Sequence, residues 1–165
     1  MSANDIRIST VGNGSVVTRT YRVASGAIGS IDVGEPVKIG GTGNNFVVLL
    51  ATGDPEIGTD RMVGIAASIS TDTVADNGFV DVLIPNESTV MTATATTPGN
   101  INTDAELLGV LNDSVTIDLT GAVFTINENE GDDPNVHGFM IVGGDIDQGT
   151  LDFVLNPSAS QAGLV

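Results

Sequence analysis

Between Arg61 and Ala95 the apolar residues recur with a period of two. Val80, Val82 and Ile84 occupy one parity and Phe79, Asp81 and Leu83 the other, which puts successive side chains on opposite faces of a strand. Asp76-Asn77-Gly78 precedes this run, and Asn-Gly tolerates the positive φ of a tight turn. Met62–Ala67 lies before it, and Val90–Ala95 comes after Pro85-Asn86-Glu87-Ser88. The centre of the chain is therefore a short β-meander, and nothing in it resembles a catalytic set.

The same pattern extends in both directions. Pro36 suits the start or edge of a strand running to Ile39, and Phe46–Leu50 is the most apolar run in the chain. The glycine-rich link Gly40–Asn45 lacks the Lys-Ser/Thr and the helix of a phosphate cradle, and reads as a hairpin loop. Val115, Ile117 and Leu119 alternate with Thr116 and Asp118, and Phe124-Thr125-Ile126, Phe139–Val142 and Leu151–Leu155 complete the set. Thr103-Asp104-Ala105-Glu106 matches a capping box, but Gly109 limits the helix it opens to a turn or two. Strands this short, with turn signals about every 8–12 residues, predict an all-β fold, an antiparallel barrel or sandwich.

Residues 1–26 read as an extended N-terminal arm. Ile6 and Ile8 flank Arg7, while Val17, Arg19, Tyr21 and Val23 alternate with Thr18, Thr20 and Arg22, with Val11–Ser15 as a joint between the two runs. Such a segment can add to another chain's sheet edge or form a first hairpin of its own domain. Thr96–Asn100, with Pro98-Gly99, marks the best internal boundary. The expected organisation is thus an arm at 1–26, a β-barrel or sandwich core at 27–98, and a second β-rich lobe or continuation of the same domain at 99–165, its tail from Asn156 loosely held.

Charge and composition narrow the function. Five basic residues stand against 21 acidic ones, a net charge of −16 that repels a phosphate backbone and excludes nucleic acid as the expected partner. The imbalance is uneven: residues 1–22 hold Arg7, Arg19 and Arg22 against Asp5 alone, and the remaining 20 acids face only Lys38 and Arg61. With no cysteine there is no disulfide framework or thiol chemistry. The start Met1–Thr10 has no basic region followed by an apolar one, and no apolar run approaches the ~20 residues of a membrane helix, so synthesis in a cytoplasm is expected, without a membrane partner.

The candidates for chemistry are few. His137 is the only histidine and sits beside Gly138 at the head of an apolar strand, which suits an edge or loop position better than a triad. Glu128, Glu130, Asp132 and Asp133 gather oxygen ligands in one loop, with Asp145 and Asp147 further on, but the spacing is not that of a calcium loop. Carboxylate pairs for glycoside hydrolysis are always available among 21 acids, yet five Phe, one Tyr and no Trp offer almost no sugar platform. No enzyme activity, metal or cofactor is expected.

Gly34-Glu35-Pro36-Val37, Arg61-Met62-Val63-Gly64-Ile65-Ala66-Ala67 and Phe79–Pro85, in that order, resemble the capsid decoration (cement) proteins of tailed bacteriophages. Val16–Tyr21 and Leu151–Asn156 are similar in character to phage virion proteins. The resemblance covers mainly residues 34–95; nothing after Asn100 is placed by it. It implies a β-rich, commonly trimeric protein on the outside of an expanded capsid, made in the host bacterium, spanning junctions between major capsid subunits and resisting the pressure of packed DNA. The major capsid protein is then the partner, and Ile6, Arg7, Ile8, Arg19, Tyr21 and Arg22 carry the docking. The alternatives are another virion or surface attachment protein, such as a head fibre or adhesin, and a small hydrolase.

Overall fold

The computed structural model describes residues 6–11, 16–26, 29–40, 46–86, 88–120 and 122–156. It is all-β, in two packed units. The first strand, β1 (Arg7–Val11), joins a sheet completed much later in the chain. The next five, β2 (Val17–Val23), β3 (Pro36–Gly40), β4 (Phe46–Leu49), β5 (Met62–Ala66) and β6 (Gly78–Ile84), close into a barrel in the order β2-β4-β3-β5-β6. Neighbours are antiparallel except β2 and β4, which run parallel and meet at Val23 and Val47. A five-stranded barrel leaves little interior width, and small or β-branched side chains fill it: Val23, Val37, Val47, Ala66, Val80 and Val82, with Ile31 from the β2–β3 connection. The alternation in β6 puts Val80 and Val82 inside and Phe79 outside. β3 and β4 pair from Val37–Leu49 to Gly40–Phe46 as the expected hairpin, whose loop residues 41–45 lie outside the described residues.

The second unit is a sheet in the order β1-β7-β12-β11-β8, antiparallel throughout, with β7 (Thr89–Thr94), β8 (Ser114–Val115), β11 (Phe139–Asp145) and β12 (Thr150–Leu155). The hairpin of β9 (Ile117–Thr120) and β10 (Val123–Ile126) packs beside it, bridged at Ala95 and Ile126. Phe124, Phe139 and Phe153 are its central core residues, the last two meeting edge to face at 5.0 Å between centroids. The N-cap of the expected capping box forms at α1 (Asp104–Val110): the Thr103 hydroxyl accepts the Glu106 amide at 3.3 Å and donates to the Glu106 carboxylate at 2.9 Å.

The units meet along the outer face of β3 and β5, and a β-bulge makes that possible. Strict alternation would put Met62, Gly64 and Ala66 on one face. The register between β3 and β5 shifts at Val37/Lys38, pairing Val37 with Gly64 but Lys38 with Met62. Met62 and Ile65, three residues apart, therefore both join the second core with Leu50, while Val63 and Ala66 line the barrel. Gly64 sits at φ 157°, and a Cβ there would lie 2.0 Å from the Leu83 carbonyl oxygen, so only glycine fits.

Two expectations change. The segment at 1–26 is not an extended arm over its described residues: β1 pairs with β7, while all seven residues of β2 pair with β6. Nor do β1 and β2 form a hairpin, because β1 completes the edge of the second sheet while β2 closes the barrel between β4 and β6. The units also do not part at residue 98, since β7 belongs to the second sheet. A strand's sequence marks which face is apolar, but the edge it joins is decided by non-local pairing. Substituting Gly64 by Ala is expected to remove about 3 kcal/mol of stability or more, read from the urea midpoint; an unchanged midpoint would contradict the close approach.

Candidate functional site

The six residues expected to dock fall into two groups on different units. Ile6 is 2% exposed within the second core and Ile8, opposite Met91, is half-buried against it, so Ile6 has no surface to offer a partner. Arg7 is exposed on β1, the outer strand of its sheet, opposite Thr92. On β2, Arg19 and Arg22 are exposed and Tyr21 is half-buried against the barrel interior. Arg19 lies opposite Val82 and Arg22 opposite Phe79, so the two arginines leave the strand on opposite faces.

Arg22 has neighbours that sequence reasoning did not assign to a site. Its guanidinium carbon lies 5.1 Å from the centroid of Phe46, a cation–π distance, and its cross-strand partner Phe79 is 53% exposed. Beside them, the Thr20 hydroxyl donates to Asp81 at 2.6 Å. The signal for Phe79 was present: it stands on the parity opposite Val80 and Val82. For Phe46 there was none, because its proximity to Arg22 depends on the closing of the barrel. Among the described residues no arginine forms an ion pair.

Among the described residues the Lys or Arg that does is Lys38. On the outer face of β3, its Nζ lies 2.6 Å from Asp54 Oδ2 and 2.7 Å from Asp60 Oδ1. These carboxylates also accept the backbone amides of Ala51 at 2.6 Å and Glu56 at 3.0 Å, which ties the 51–60 connection to the barrel. Burial opposes ionisation of Asp60, but the hydrogen bonds from Lys38 and the Glu56 amide outweigh it and hold its carboxyl below the usual range. Burial likewise works against the Lys38 ammonium and its two carboxylate partners prevail, raising it. Asp72 is similar: almost wholly buried, it is desolvated, yet the Ser70 and Ser30 hydroxyls and the Ser30 amide outweigh that burial and hold it low.

The acidic loop is built the same way. Glu128 Oε1 accepts the Thr97 amide at 2.9 Å, Glu130 Oε2 the Thr116 amide at 3.0 Å, and Asp132 Oδ1 the Ser114 amide at 2.8 Å. Asp145 caps its own turn through the amides of Asp147 and Gln148. His137 Nδ1 is 2.8 Å from the Ser114 carbonyl, so that nitrogen carries the proton, and Nε2 lies 3.7 Å from Glu130 Oε1. Asn156, at the head of the supposed loose tail, is buried and donates to the carbonyls of Pro134 and His137; residues after it lie outside the described ones. Among the described residues no three His, Cys, Asp or Glu side chains group to hold a metal, and no helix is long and apolar enough to cross a membrane. The acids serve as acceptors for loop backbone amides.

These shifts set the pH response. Asp60 and Asp72 are depressed in the folded state, so the unfolded chain takes up protons first as pH falls, and their stabilisation, complete above about pH 4, is lost below it. Melting temperature is expected to fall steeply below pH 4, and less steeply in Asp72→Asn; equal slopes would refute the assignment. Asp113 runs the other way, raised first by burial and then by Asp132, so Asp113→Asn is expected to stabilise the protein at neutral pH. Lys38→Ala leaves two shielded carboxylates facing each other and is expected to cost about 3 kcal/mol by chemical denaturation.

Set against protein-family models, characterised proteins and solved structures, the chain matches none.

Proposed function

We propose that the protein is a structural virion component that binds the outer surface of a phage capsid and stabilises the shell at junctions between major capsid subunits. The observation that carries this reading is the state of the arginines. In a chain of net charge −16, Arg7, Arg19 and Arg22 stand exposed and make no ion pair among the described residues. An unpaired cation on an acidic protein favours a contact with carboxylates of another molecule.

Two further features support it. The three runs that resemble decoration proteins are the opening of β3, all of β5 and most of β6, which together make three of the five barrel strands. The polar groups that a hydrolase would recruit, His137 and the loop carboxylates, are spent on backbone hydrogen bonds. Attachment as a trimer makes modest single contacts effectively irreversible, because the second and third contacts form at high local concentration.

Replacing Arg7, Arg19 and Arg22 together by Ala is expected to abolish co-sedimentation with expanded capsids of the virus that encodes the chain, with the melting temperature unchanged. Retained binding would sink the docking role of these residues. Light scattering of the purified protein is expected to give the mass of a trimer, and a clean monomer would remove the trimeric form of the proposal.

A further inference from the structure

The aromatic side chains divide sharply between the two units. Phe124, Phe139 and Phe153 are at most 1% exposed in the second core. The other three aromatics, Tyr21, Phe46 and Phe79, all lie on the barrel strands β2, β4 and β6, and none is fully buried. Tyr21 turns inward against the barrel core, whereas Phe46 and Phe79 stand on the opposite parity to the buried Val47 and Val80, on the outer face. Arg22 stands between Phe46 and Phe79, within cation–π range of the first and directly across the strand pair from the second.

We infer that the outer face of β2, β4 and β6 around Arg22, Phe46 and Phe79 is the docking surface, and that it takes an apolar protein surface rimmed by carboxylates. The inference rests on the attachment reading above and identifies its central contact. Arginine is among the side chains that dominate interface hot spots, and aromatic residues, Phe included, are enriched in the cores of protein interfaces. The Arg22 guanidinium is free of carboxylates among the described residues, while Asp81, two residues along from Phe79, is occupied by the Thr20 hydroxyl. The charge complement therefore comes from the partner. A second copy of the chain on this face is the competing occupant, and the test below separates the two.

The test is a titration of Phe79→Ser, Arg22→Glu and wild type against DNA-free expanded shells of the virus that encodes the chain. Leu108→Ser, on an exposed site of α1 in the second unit, is the control. Phe79→Ser and Arg22→Glu are each expected to weaken binding by about 30-fold or more, with Leu108→Ser and all melting temperatures unchanged. If wild type binds and the two variants bind equally well, this face is not the docking surface, although the attachment reading stands. If wild type does not bind, both fall together. If either variant lowers the mass seen by light scattering, the face joins two copies of the chain and the stated occupant is overturned.

Discussion

The arrangement of the two units depends on one backbone irregularity, the bulge at Gly64. It turns Met62 and Ile65 to the same side of β5, where they enter the second core, and leaves Val63 and Ala66 for the barrel. One strand so serves two hydrophobic cores. Lys38, opposite Met62, faces the same way and meets Asp54 and Asp60 from the connection that crosses between the units. Apolar packing and a shielded charge cluster thus act on the same seam, and both trace to the register shift that a glycine permits.

The acidity of the chain has a structural use beyond solubility. Its connections are turns and short irregular segments, whose backbone amides have no ladder partner and need acceptors when shielded from water. Asp54, Asp60, Asp72, Glu128, Glu130 and Asp132 supply them. Carboxylates suit this role because an ionised acceptor makes a stronger hydrogen bond than a neutral one. At Asp60 and Asp72, whose carboxyls the fold holds below the usual range, the arrangement is vulnerable to acid.

The arginines follow the opposite logic. Lys38 is consumed internally, whereas the arginines of β1 and β2 remain exposed without carboxylate partners among the described residues. Beside Arg22 lie aromatic side chains that the narrow barrel has no room to bury. Free positive charge and displaced aromatic area coincide on one face, and the proposed attachment builds on that coincidence.

The all-β class, the hairpin of β3 and β4, the N-cap at Thr103 and the alternation along β6 were all legible in the sequence. They depend on period, turn chemistry and short-range hydrogen bonds, which neighbouring residues specify by themselves. The charge asymmetry that singles out the N-terminal arginines was legible for the same reason, as was the parity that separates Phe79 from Val80 and Val82. The fate of β1 and β2 was not: their alternation fits an arm, a hairpin or strands of two separate sheets equally well. Nor was the burial of Ile6, or the meeting of Arg22 with Phe46. These depend on which edges lie open once the barrel has closed and β7 has joined β12, contacts between residues far apart in the chain that no local pattern encodes.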